Sequence, residues 1–394
     1  MRTLLLIADF ACHTGFATVA ENIARRLVGW DIHVLAVNYK GDPTPLQSRF
    51  QLYPAHLGGD AMGVGRLEYV VPHVKPDVIL AINDPWIVRP YIEALSELPH
   101  APPVVAYVPV DGCSPASEHV APLNGLSHLI AYTQFGLREL RARGLEIAAS
   151  VIPHGVDLDV FRPLDRAAIR ARFHLPPDMF GVLVLDQNQA RKRLDIAFDA
   201  FARFARDCEQ ARLIYHGPLK TEMGWGILDM AADLGIGDKL ILTGRAITQT
   251  NGLRIEDMAS VYALADVKLT TTSGEGWGLT TMEAMACGVP CIIPAFGALQ
   301  EWAGGACLLV TADDPVRHAG GVNTIGRVPR AEDAAGALRH LYEHSGERTY
   351  LRQAGRFLVD RDCYRWETIA DAFNAILTAV AGGRPVEDRE VTWT

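Results

Sequence analysis

Two glutamates, Glu275 and Glu283, stand with seven residues between them in the stretch SGEGWGLTTMEAMACGVP at 273–290. Three glycines, Gly274, Gly276 and Gly278, precede a short run of helical character. Glycine lets a backbone approach a ligand closely and take turns that a side chain forbids. The bend leaves the amides around Trp277 to Thr280 pointing outward at a helix start, where unpaired N–H groups and a partial positive charge favour a phosphate. Glu275 falls in the loop and Glu283 in the first helical turn, on either side of whatever those amides hold. Thr280 and Glu283 also fit the T-x-x-E capping box, so Glu283 either caps its helix or meets a ligand. Glu275, between two glycines, has no capping duty and reads as functional. No Gly-Lys-Ser or Gly-Lys-Thr follows, which sets the loop apart from a nucleoside-triphosphate P-loop.

A second constellation lies upstream, where an apolar run at 181–185 leads into DQNQARKRLDIAFDAF. Arg191, Lys192 and Arg193 stand at the carboxyl end of that run, just before an amphipathic segment. In an acidic chain, three adjacent cations at such a place point to a diphosphate, the arginines as planar forks and the lysine as a point charge. Weaker candidates follow the apolar runs of the first half. Thr14 either caps a helix or, with His13 and Gly15, touches a ligand at the edge where open α/β sheets bind. Asp84-Pro85, after Asn83, reads as an N-cap with Pro at the first helical position. Asp111, in YVPVDG, is either a turn residue or a substrate contact. His154, in IPHGVDLDVFRP at 152–163, reads as a hinge residue rather than a catalyst.

These residues need a scaffold, and the hydrophobic pattern supplies one. Short apolar runs alternate with runs of helical period, which predicts an α/β fold of parallel sheets covered on both faces. Strands are expected at 3–8, 32–37, 78–82, 104–109, 128–132 and 150–152, then at 181–185, 212–215, 239–243, 266–271, 291–293 and 307–310. Phe16, Val19, Ala20, Ile23, Ala24 and Leu27 mark the buried stripe of a first helix. The proline- and aspartate-bearing stretch 152–163 is the expected linker between two such series. Residues 311–330 read as a surface loop or small excursion without an assigned role, 364–380 as a final amphipathic helix, and 382–394 as a frayed tail.

The 394 residues exceed what one core usually serves, so two domains are expected. Lys and Arg total 37 against 46 Asp and Glu, a formal charge of −9, which gives no general attraction for nucleic acid or an anionic membrane. Seven scattered cysteines without a Cys-x-x-Cys form neither a disulfide framework nor a zinc site, and a reducing cytoplasm is expected. No run approaches 18 apolar residues, and the opening run 4–8 reads as a strand rather than a signal peptide.

In their order along the chain these motifs resemble the retaining glycosyltransferases of family 4. The resemblance is carried by the Thr14-Gly15-Phe16 turn, YTQFG at 132–136, the IPHGVD linker, the Arg191–Arg193 cluster, VYALAD at 261–266, the Glu-x7-Glu loop with its AMACGVP continuation, and the Trp366 helix. It covers nearly the whole chain. It implies a GT-B fold, two Rossmann-like doubly wound domains facing an interdomain cleft. Residues 1–155, completed by a helix at 364–381, would be the acceptor domain, 156–363 the nucleotide-sugar domain and 382–394 a tail.

By the same resemblance Glu275 contacts the transferred sugar, Glu283 the ribose hydroxyls, and Arg191 and Lys192 the diphosphate, helped by the amides of Gly276, Trp277, Gly278 and Leu279. The loop at 244–247, with Arg245 and Ala246, reads the base, and Gly15 lies beside the donor. Asp186-Gln187-Asn188 stands where many relatives carry an arginine, with Arg193 or Arg245 as the replacement cation; Asp111 stands where several use a histidine near the acceptor. The implied activity is metal-independent transfer of a hexose from a nucleoside diphosphate sugar with retention, by front-face attack, and without a further cofactor. The acceptor, whether glycan, lipid-linked sugar, small molecule or protein, is not specified, and peripheral membrane contact stays open. A catalytically silent GT-B nucleotide- or glycan-binding protein and a GT-B epimerase or phosphorylase are the alternatives. Lys192→Ala and Glu275→Ala are each expected to abolish most transfer and leave the fold intact.

Overall fold

Strands that are apolar on both faces need cover on both faces, and the central strands of this chain are of that kind. In the computed structural model, which describes residues 1–39, 49–244, 252–318 and 324–388, Val78–Ile82 and Val104–Val108 are buried along their whole length. The chain divides into two compact units, one made of Met1–Gly155 and the chain from Asp362 onward, the other chiefly of Val156–His318 and Ile325–Arg361.

The first unit runs β1 (Arg2–Asp9), α1 (Gly15–Arg26), β2 (Trp30–Val37), β3 (Gln51–Pro54), α2 (Leu67–Val74), β4 (Val78–Ile82), α3 (Pro85–Ser96), β5 (Val104–Val108), α4 (Ser117–Val120), β6 (His128–Ala131), α5 (Gln134–Arg141) and β7 (Ala149–Val151). Its seven strands are parallel in the order β3-β2-β1-β4-β5-β6-β7. Helix α1 begins where Thr14 accepts from the Ala17 amide, and it buries Val19, Ala20, Ile23 and Ala24 against the sheet. Asp84 caps α3 by position, with Pro85 at its first turn, but its side chain makes no capping bond.

The second unit runs α6 (Arg166–Arg172), β8 (Phe180–Leu185), α7 (Leu194–Ala205), β9 (Ala211–His216), α8 (Ile227–Asp233), β10 (Leu240–Leu242), α9 (Ile255–Ala263), β11 (Val267–Leu269), α10 (Leu279–Ala286), β12 (Cys291–Pro294), α11 (Gly297–Ala303), β13 (Leu308–Val310), the hairpin β14 (Asp314–Arg317) and β15 (Ile325–Val328), α12 (Ala331–Glu343) and α13 (Ser345–Val359). Six parallel strands lie in the order β10-β9-β8-β11-β12-β13. The chain then returns to the first unit as α14 (Trp366–Ala381). There Glu367 pairs with Arg26, the Asn374 amide oxygen accepts from the Trp30 indole, and Phe373 meets the Tyr107 ring edge-on at 4.9 Å.

Every expected strand is present. Three features depart from the sequence reading, the first being the edge strand β3, which lies at none of the expected positions. The stretch 311–330 holds the β14–β15 hairpin, hidden by Pro315 and Gly326 in strands of mixed polarity. The start of the tail is docked: Asp388 accepts from the Arg141 guanidinium and from the Ala149 amide at 2.7 Å. Among the described residues no helix is long and apolar enough to cross a membrane.

Candidate functional site at the edge of the second sheet

Strands β8 and β11 are neighbours in the sheet, and the two sequence constellations follow their carboxyl ends. After β8 the chain makes a tight turn over Ala190–Lys192 and enters α7; after β11 it runs through Thr270, Thr271, Thr272 and Ser273, all buried, into the glycine loop. The hydroxyls bind the two segments together. Thr271 donates to the Arg193 carbonyl at 2.8 Å, while the Ser273 amide and hydroxyl both donate to the Arg191 carbonyl, at 2.8 and 2.9 Å. The Arg191 guanidinium returns to the Gly274 carbonyl at 2.8 Å.

Glu275 and the basic turn, 83 and 84 positions apart in sequence, therefore meet. One Glu275 carboxylate oxygen lies 2.5 Å from Lys192 Nζ and 3.2 Å from Arg191 Nη1. On its other side Lys192 Nζ lies 2.8 Å from Asp186. Burial by itself raises the Glu275 carboxyl, but Lys192 and Arg191 outweigh it and hold the group below the ordinary glutamate value. Burial likewise disfavours the Lys192 ammonium, and Asp186 and Glu275 hold it above the ordinary lysine value. The result is a carboxylate–ammonium–carboxylate row, with side-chain exposures of 4%, 9% and 15%, flanked by a guanidinium.

Beyond Glu275 the backbone turns through Gly278, whose φ of +91° is left-handed and whose missing side chain makes room for Leu299. Helix α10 starts at Leu279 with Gly278 as its N-cap. Thr280 thus lies inside the helix, and the capping-box reading is corrected: Glu283 instead accepts from the Tyr262 hydroxyl at 2.5 Å. Burial pushes the Glu283 carboxyl from 4.5 up to about 7, against the Tyr262 bond and the charge of Lys268. Lys268, on β11 and fully buried, bonds the Thr281 hydroxyl at 3.3 Å. Trp277 is buried and stacks on Trp302 at 4.8 Å with the planes 4° apart. The Trp302 indole donates to the Trp277 carbonyl, fixing the loop backbone between Gly276 and Gly278.

The structure brings together Arg191, Lys192, Glu275, Gly276, Trp277, Gly278, Leu279 and Glu283. It turns Arg193, at φ +50°, onto Asp195 of its own helix. Asp111 and Gly15 belong to the other unit, Gly15 as the first residue of α1. Arg245 and Ala246 lie outside the described residues. His154 packs in the first unit, its Nδ1 2.8 Å from the Tyr107 hydroxyl, and burial lowers its imidazole to about 3. Glu275 does have a structural partner, contrary to the sequence reading. Asp186, read there as a departure, holds Lys192 from behind. The signal for it was an acid directly after an apolar strand and six positions before a lysine.

The chain is similar to known glycosyltransferases over part or most of its length. Residues 181–325 match the model of the glycosyl transferases group 1 family. The matched segment contains the basic turn and both glutamates. A D-inositol 3-phosphate glycosyltransferase of Geodermatophilus obscurus is 34% identical over 208 residues, 50% of this chain and 44% of the relative. That of Mycobacterium bovis is 30% identical over 248 residues, 60% of this chain and 48% of the relative. The chain thus spans about half the length of the curated relatives it matches. Among solved structures, sucrose-phosphate synthase of Thermosynechococcus elongatus superposes with a TM-score of 0.75 at 19% identity, covering 97% of this chain and all of that one. Anabaena HepE, solved in complex with UDP and glucose, superposes with a TM-score of 0.73 at 18% identity, covering 96% and 100%. The fold is the GT-B fold of these proteins.

Proposed function

We propose that this chain is a retaining glycosyltransferase that moves a hexose from a nucleoside diphosphate sugar to an acceptor hydroxyl, without a metal, in a reducing cytoplasm. The observation that carries the reading is the meeting of Glu275 with Lys192 and Arg191 beside the start of α10. The seven cysteines are all free thiols, which fits the compartment. Phosphate oxygens compete with Glu275 for the same donors. An ammonium has three N–H groups, of which Asp186 and Glu275 engage two, so Lys192 keeps one for a diphosphate. Arrival of the diphosphate loosens Glu275, and its carboxylate turns to the sugar hydroxyls. Glu283 takes the ribose hydroxyls, and the first amides of α10 face the phosphates.

In the reaction the bond from the anomeric carbon to the diphosphate oxygen breaks and the acceptor oxygen bonds the same face. The acceptor proton passes to the departing phosphate oxygen. Cations and amides aimed at that oxygen supply most of the acceleration; one such donor is worth about 10² to 10³ in rate. The test is a thermal-shift screen with nucleoside diphosphates, since a ligand at about 100 times its Kd stabilises by ~2.7 kcal/mol. A product assay with the selected sugar donor follows, with and without EDTA. No shift with any nucleoside diphosphate, or sugar transfer undiminished in Arg191→Gln, would sink the proposal.

A further inference from the structure

Beyond β11 the site loop leaves the sheet, so its backbone polar groups need partners that the ladder does not provide. The β14–β15 hairpin supplies one. Its strands pair antiparallel, with Val316 opposite Gly326 and Arg317 opposite Ile325. From β15 the Arg327 amide donates to the Ser273 carbonyl at 2.9 Å. From the end of β14, His318 Nε2 lies 2.7 Å from the Ser273 hydroxyl oxygen. That hydroxyl has one proton, and the Arg191 carbonyl takes it at 2.9 Å. Ser273 Oγ is then the acceptor, and His318 donates to it through Nε2–H.

We infer that the hairpin is a positioning element of the donor site and that His318 is its positioning residue, setting Glu275 and Arg191 through Ser273. The inference rests on the proposed function and goes beyond it by giving this excursion a task in the same reaction. Ser273 is 1% exposed and stands two residues before Glu275. It bonds the carbonyl of Arg191, whose guanidinium closes the ring on the Gly274 carbonyl and the Glu275 carboxylate. A displacement of Ser273 is therefore shared by both ends of the ion pair. The fit is close enough to require glycine at 326: a Cβ there would stand 2.3 Å from the Ser273 carbonyl oxygen and 2.7 Å from His318 Nε2. Backbone cannot yield as a flexible side chain does, so Gly326→Ala must part the hairpin from the loop.

Two readouts on the full-length protein separate positioning from mere cover. The first needs no ligand: amide hydrogen exchange of 270–278 is expected to rise about tenfold or more in Gly326→Ala and His318→Phe, with the urea midpoint of the whole protein little changed. His318→Gln, whose amide nitrogen can still donate to Ser273, is expected to restore protection. The second is turnover of the nucleotide sugar picked out by the thermal-shift screen. There kcat is expected to fall roughly 10- to 100-fold in the first two variants, with KM for the donor little moved, because a misplaced carboxylate costs rate before affinity. Unchanged exchange in Gly326→Ala overturns the inference, as does faster exchange with undiminished kcat or a failure of His318→Gln to rescue. A wild-type chain that turns over no nucleotide sugar overturns the proposed function instead, while the exchange arm still decides whether the hairpin orders the loop.

Discussion

At the ends of β5 and β6 in the first sheet, the chain buries neutral rings: Tyr107 lies 4.2 Å from Tyr132, Tyr132 lies 4.2 Å from His154, and the Tyr107 hydroxyl bonds His154. At the ends of β8 and β11 in the second sheet, it buries ions. Both sheets are wound in one order, with the first strand of each unit central and its crossover placed between the same neighbours. The winding therefore fixes where an edge forms, and the residues that follow each strand decide what the edge can hold. Only ions can trade one anion for another, which makes the second edge the one suited to exchanging a bound carboxylate for another anion.

The sharpest way to break this contrast is to remove the central cation. Lys192→Ala takes the shared cation from the buried Asp186 and Glu275, leaving Glu275 only Arg191, and is expected to cost about 3–5 kcal/mol in urea unfolding, along with transfer. An unaltered midpoint would show that the row is not a structural unit. Arg191→Gln is the cleaner probe of chemistry, since Arg191 is more exposed than Lys192. Transfer is expected to drop about 10²- to 10³-fold, measured as kcat, with stability nearly unchanged.

A pH series sharpens the same comparison. Glu283 titrates at about 7 when folded against 4.5 ordinarily, so the folded chain holds this proton more tightly than the unfolded one. Its contribution is complete below pH ~4.5 and is lost as pH rises through ~7. Glu283→Gln should gain on the wild type over that window by on the order of 1–3 kcal/mol, read from unfolding at a series of pH values. A flat difference would mean that Glu283 is ionised throughout. The smallest effect on nucleotide affinity is expected at the neutral edge: Tyr107→Phe should cost about 1–3 kcal/mol of stability and leave that affinity where it was.

Much of this was legible in the sequence because apolar runs such as 78–82 and 104–109 admit little other than buried strands. The edge strand Gln51–Pro54, half-buried and carrying a proline, had no such signature. At the site, the residue types were legible but their partners were not. Glu275 reads as unattached because its partners are more than eighty positions away. Thr280 and Glu283 match a cap that the backbone does not use, since Gly278 begins the helix two residues earlier than the motif requires. His318 and Ser273 carry no local pattern at all; a hydrogen bond across 45 positions leaves no periodicity to read.

The return of α14 to the first unit has a consequence for how the protein is made. The first unit lacks the helix that covers Trp30 and Tyr107 until the ribosome has translated everything through 381, whereas 156–361 is translated before any of that helix. Domains usually mature from the amino terminus during synthesis. Here the order inverts, and the unit begun first is finished last. Arrested nascent chains with 361 just clear of the exit tunnel are expected to resist protease across 156–361 and to be cut within 1–155; equal protection of both would refute it. Until release, the neutral aromatic edge lacks the helix that covers it, and a premature stop before Trp366 leaves the first unit unfinished beside a complete second one.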